Sequence, residues 1–246
     1  MKKLLICILC FASVQGFAQI RVGVQGSFSS INVWQTDGYS GVPANEYTWQ
    51  LNSFQAGIVA EYDLGYSGLV LQPALMYAGN GAHLGQTQPF VPIGNYTVGY
   101  SDTKLQYYSL RLPLNLLYTY RLNPKIKVFG GIGPYIAYTL SGTEKGFSTG
   151  YTTTGGNFAY ETMPVDNKVK VSNNSSAATM GISNVAPIDI GMDILLGVQY
   201  KKLQISASWN RGFSRMYHTN YVNLGNQFWN FTLGYMLFGH ERKPKL

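Results

Sequence analysis

Five charged residues stand at positions that share parity with small and polar neighbours: Arg21, Glu61, Arg111, Asp189 and Asp193. Enclosed together, such groups have two uses. They can neutralise one another, since an unpaired buried charge costs on the order of several kcal/mol, or they can relay protons or ions along a gated path. Pairing is favoured in a narrow interior: Arg21 and Glu61 fall near the same ends of adjacent strands, and Arg111 can reach Asp189 or Asp193. Hydrolysis would instead need a histidine beside a serine or an acid, because an unactivated hydroxyl is a weak nucleophile. The histidines are His83, His218 and His240, two in loops and one in the tail. A rim site using His83 or His218 with loop serines and acids is the catalytic alternative; the expected class is non-enzymatic. Histidines this scattered predict no metal site and no cofactor. Gly130-Gly131-Ile132-Gly133 resembles a phosphate loop superficially but lies inside a strand, with no following helix N-terminus.

The elements that must position these residues are strands. Period-two alternation marks eight stretches, near residues 20–28, 52–62, 68–79, 105–120, 126–140, 187–200, 203–213 and 227–238. In the sixth, Ile188, Ile190, Met192, Ile194, Leu196, Val198 and Tyr200 share one face, against Asp189, Gly191, Asp193, Gly197 and Gln199 on the other. Soluble sandwiches alternate too, so the connections decide. Links after strands two, four and six are brief: Asp63 to Ser67, Arg121 to Lys125, and Lys201-Lys202. Those after strands one, three, five and seven run long, over 29–51, 80–104, 141–186 and 214–226. Short periplasmic turns alternating with long extracellular loops are the signature of a transmembrane barrel.

Aromatics sort by the same parity. With strand one ascending, Phe28, Phe54, Tyr77, Tyr108, Tyr138, Trp209 and Trp229 fall toward the outer rim. Tyr62, Tyr118, Tyr120, Tyr200 and Tyr235 fall toward the periplasmic rim. Two outward girdles are expected at the two interfaces. Gly23, Gly57, Gly131, Gly133, Gly191, Gly197 and Gly234 take inward parity, and an eight-stranded interior is only wide enough to be filled by side chains. The lumen should therefore be plugged. The long links become the candidate binding surface, above all the first, with Trp34, Tyr39, Tyr47 and Trp49, and the third, in which Val169-Lys170-Val171 could extend a strand beyond the membrane.

Composition agrees. Only 12% of residues are charged, against 28 glycines and 19 tyrosines, where soluble proteins carry about 25% charge. Residues 1–18 read as a cleaved signal peptide: Lys2-Lys3, an apolar run from Leu4 to Phe11, and Gly16-Phe17-Ala18 before the cut. A lipoprotein would acylate Cys10, which sits inside the apolar run rather than at its end. Cleavage removes both cysteines, Cys7 and Cys10, so no disulfide is expected. It also lowers 18 basic residues to 16 against 11 acidic ones, an excess of +5 that is scattered apart from Arg242, Lys243 and Lys245 in the tail and so argues against a nucleic-acid footprint.

The chain resembles the PorT-like outer-membrane β-barrel family, loosely called porin-family proteins, small barrels of the OmpA/OmpX type. The resemblance rests on Phe17-Ala18-Gln19, Val22-Gly23-Val24-Gln25-Gly26, Leu110-Arg111-Leu112-Pro113-Leu114, Phe129-Gly130-Gly131-Ile132-Gly133-Pro134-Tyr135 and Leu233-Gly234-Tyr235. It spans the mature chain, implies the barrel fold, and implies as one alternative a place in type IX protein secretion; a narrow porin-like channel is another. The family defines no catalytic residues to carry over. One departure is that Phe238 is followed by His240-Glu241-Arg242-Lys243-Pro244-Lys245-Leu246, whereas many outer-membrane barrels end on an aromatic read by the insertion machinery.

The expectation is an all-β, eight-stranded antiparallel up-and-down transmembrane barrel over 19–238, with a short basic periplasmic tail at 239–246. It would be exported to the outer membrane, contacting its lipids, the barrel insertion machinery and envelope partners or an extracellular ligand.

Overall fold

A computed structural model of the chain describes residues 20–37, 45–65, 68–87, 92–93, 96–154, 157–172, 184–214, 216–218 and 222–239. The expected signal peptide, Tyr39 and residues 240–246 of the expected tail lie outside them.

Eight antiparallel strands close into a ring. In chain order the elements are β1 (Ile20–Asp37), β2 (Asn45–Trp49), β3 (Leu51–Asp63), β4 (Leu69–Thr87), β5 (Pro92–Ile93), β6 (Tyr96–Arg121), β7 (Ile126–Thr154), β8 (Asn157–Val171), β9 (Asn184–Val185), β10 (Ile188–Tyr200), β11 (Leu203–Gly212), β12 (Tyr217–His218) and β13 (Val222–Phe238). The ring runs β1-β3-β4-β6-β7-β10-β11-β13, and β13 returns to pair with β1. Closure leaves the spanning strands no unpaired edge, which an apolar bilayer core demands of a sheet.

Alternation in the sequence becomes alternation in burial. Along β10 the exposed side chains are Ile188, Ile190, Met192, Ile194, Leu196, Val198 and Tyr200, and every residue between them is buried. An outer wall this apolar would be a liability in water and is the surface a barrel needs in lipid. The periplasmic turns are tight. Asp63 accepts from the Gly65 amide at 2.9 Å, and Asn123 accepts from Lys125 and Ile126, both at 2.8 Å. Lys201 and Lys202 make a two-residue turn with Lys201 at φ 54°.

Most of what the sequence presents as outer loops is strand, which corrects those boundaries. β4 continues to Thr87, β6 begins at Tyr96, and β7 runs on to Thr154 before returning as β8, with Gly142 opposite Val169 and Thr154 opposite Asn157. Only the lower part of β7 pairs with β10; above that, β8 takes over. The cause is elementary. A ladder needs only a partner strand, and above the bilayer neither face need be apolar, so strands rich in Thr, Gly and Ser persist without the alternation that reveals them. β8 then leads to β9, whose Val185 is fully buried with Ala82, Leu105, Tyr107, Val169 and Met216. This cluster forms an apolar cap over the outer mouth.

Candidate functional site: the lumen plug and the outer extensions

Inward-facing polar residues organise in three tiers. At the periplasmic end Arg21 and Glu61, directly in register on β1 and β3, form an ion pair. Glu61 also accepts from Gln72 at 3.2 Å and from Gln204 at 2.6 Å. In the middle Arg111 pairs with Asp193, which accepts a further bond from Asn210 at 2.7 Å. Asn210 links on to Asn230 at 2.5 Å, and Asn230 to Ser29 at 2.6 Å, with Gln55 bridging the last two. The third tier holds Asp189, which accepts from Asn226 at 2.7 Å and from Tyr135 at 3.1 Å, while the Tyr107 hydroxyl donates to Asn226 at 2.5 Å.

Arg111 is thus joined to Asp193 and not to Asp189, although the sequence left both open. Tyr135 decides it: its hydroxyl holds Asp189, while its ring lies 4.0 Å from the Arg111 guanidinium, with Phe228 at 4.9 Å on another side. Arg111 is 4% exposed, so these aromatic faces replace water around its guanidinium. Beneath lies a cavity of about 50 Å³, lined among others by Gln55, Met76, Arg111, Asn115 and Asp193. Arg111 Nε and Asn115 Oδ1 have no protein partner, and a polar cavity of this size has room for water.

Sequence reasoning named the five charges and set Asn230 on the inward face of the last strand, but missed Gln55, Gln72, Tyr107, Tyr135, Gln204, Asn210 and Asn226. Their signal was available, because each shares the inward parity of its strand.

The outer wall carries the aromatics. Phe28, Phe54, Tyr77, Tyr108, Tyr118, Tyr120, Tyr138, Tyr200, Trp229 and Tyr235 are exposed, whereas Tyr62 and Trp209 are half-buried. Cross-strand packing links several: Phe28 meets Phe54 edge-on at 5.5 Å, and Tyr77 stacks on Tyr108 at 5.6 Å.

On the outer extensions His83 Nε2 lies 2.6 Å from Asp102 Oδ1, between β4 and β6. This pairing orients the imidazole, and nothing in the residue spacing foretold the acid. The side chains of Trp34, Tyr47, Trp49 and His218 lie outside the described ones. Among the described residues, no group of three or more His, Cys, Asp or Glu converges to hold a metal ion.

Residues 15–218 match the family model described as "Outer membrane protein beta-barrel domain". Among solved structures, Neisserial surface protein A is similar at 14% identity and a TM-score of 0.35, over 88% of this chain and 97% of that one. Ail, the attachment invasion locus protein of Yersinia pestis, crystallised with the heparin analogue sucrose octasulfate, is similar at 11% identity and 0.34, over 88% and 99%. OprG from Pseudomonas aeruginosa stands at 9% and 0.35, over 91% and 98%. A comparison with curated proteins finds no match. The ring of strands, its apolar wall and the family match over most of its length agree: this chain belongs to the outer membrane protein beta-barrel domain family.

Proposed function

We propose that this protein is a non-enzymatic outer-membrane barrel that works through its outer strand extensions, with a lumen too well filled to conduct. The observation that supports this is the stacked interior: two ion pairs, the asparagine and glutamine tiers and an apolar cap occupy the path from one mouth to the other. Residues 1–18 serve as a removable export signal and 239–246 as a periplasmic tail, and the exposed aromatics form belts at the two membrane interfaces. Function then falls to the β6-β7-β8 surface, which stands clear of the bilayer and would receive an extracellular ligand or an envelope partner.

Planar-bilayer recording tests the filled lumen. Purified wild type is expected to give no reproducible unitary conductance, and steady channels would overturn the reading. Excising Phe147–Pro164 and rejoining the strands should leave a heat-modifiable barrel that has lost its cross-linked envelope partner. Retention of that partner would remove the hairpin from the binding surface. A secretion role, as the PorT-like resemblance implies, is the second reading. It rests on that resemblance alone, and it predicts that loss of the protein traps secreted cargo in the periplasm.

A further inference from the structure

We propose that the periplasmic rim at Lys201 and Lys202, with the wall groove beside it, binds an anionic phospholipid of the inner leaflet: the lysines take the phosphodiester and the groove takes an acyl chain. Lys201 is the one non-glycine residue with positive φ among the described residues, at a turn position that Asn or Gly fills with less strain. A lysine there trades local stability for charge, and a backbone outlier of this kind points to function.

The two side chains spread along the rim. Lys201 Nζ lies 5.5 Å from the Tyr200 ring centroid, and Lys202 Nζ donates to the Leu237 carbonyl at 3.3 Å. The Lys201 amide bonds the Lys125 carbonyl at 2.8 Å, which brings the exposed Lys125 turn alongside. Among the described residues of these turns Asp63 is the sole acid, and it is engaged by the Gly65 amide.

Next to Lys202, a mostly apolar groove of about 260 Å³ opens on the outer wall, where Val24, Gly26, Leu203, Leu233 and Tyr235 line it together with Gln25 and Gly234. It exists because Gly26 points outward without a side chain between exposed Val24 and Phe28. Cations at the headgroup level and an apolar channel running from them toward mid-wall match the two halves of a lipid. Position favours lipid over an acidic protein, which could not enter a groove facing the acyl chains.

The test uses full-length mature protein in nanodiscs of phosphatidylglycerol and phosphatidylethanolamine with identical chains, read by native mass spectrometry of retained lipid. Wild type is expected to prefer phosphatidylglycerol roughly tenfold, and each lysine substitution to lower that preference by about fivefold at most. K201Q/K202Q should approach parity. Lys201→Asn should stabilise the turn yet still weaken the preference, an opposition that a purely structural lysine would not produce. Gly26→Leu should reduce retention of both lipids without changing their ratio. Parity in wild type, or an unchanged ratio in K201Q/K202Q, overturns the proposal. So does displacement of the lipid by glycerophosphoglycerol at equal concentration, or a photo-crosslink from position 202 that captures an acidic protein in place of lipid.

Discussion

Arg111→Ala should lower the unfolding free energy of the barrel by about 3–5 kcal/mol, the cost of leaving a buried carboxylate without its cation. Three losses coincide at this site. Asp193 keeps only the Asn210 amide as a partner. The guanidinium no longer fills the space between the Tyr135 and Phe228 rings. The water-sized cavity below, which Arg111 itself lines, opens upward. Urea unfolding in vesicles, followed by tryptophan fluorescence, gives the number. The double variant Arg111→Met with Asp193→Leu should recover most of the loss, since an apolar pair of similar volume is often as stable as a buried ion pair. A single-variant cost below about 1 kcal/mol would show that the pair is solvated and the lumen wet.

The second large effect concerns space rather than charge. Gly191→Ala would place a Cβ 2.5 Å from two atoms of the Tyr135 ring and 2.3 Å from the Arg211 carbonyl oxygen. Tyr135 cannot simply swing away, because it holds Asp189 through its hydroxyl and stacks on Arg111. Overpacking of this kind costs roughly 1–3 kcal/mol, and here the strain passes directly into the polar tiers. Gly234 is the control. It also faces inward, but its nearest contact would be 3.5 Å, to the Gln204 side chain, so Gly234→Ala should be close to neutral. The temperature at which each variant loses compact gel migration checks the contrast. Equal midpoints would mean that the interior relaxes more freely than its packing indicates.

How far the sequence carries this fold varies with the local physics. β10 is fully legible because lipid on one side and a crowded lumen on the other impose opposite demands on Ile194 and Asp193. The tight turns are legible because Asn123-Pro124 and Asp63 are turn chemistry. β8 is legible only at its end, where Val169-Lys170-Val171 reads as a strand; before that, outside the membrane, Met163, Val165 and Lys168 answer to no single solvent. Parity placed Arg111, Asp189 and Asp193 in one interior but could not rank the two acids. Arg111 is level with Ala137, and Ala137 with Asp189, so register alone would select Asp189. The ring of Tyr135 reverses that choice, and its role depends on how strands separated by 54 residues in the chain meet.

The seam between β1 and β13 has a consequence for how the molecule is made. Ser27 and Thr232 share a hydrogen bond across a sequence separation of 205 residues, and Val22 to Asp37 are matched against Val222 to Phe238. Until that last strand arrives, β1 and β11 both present a raw edge that neither lipid nor a neighbouring strand can satisfy. No shorter intermediate is therefore a resting place inside the bilayer. The whole polypeptide must be delivered before any of it can be sealed, and a chain truncated before Val222 should remain a client of the export apparatus rather than become a smaller pore.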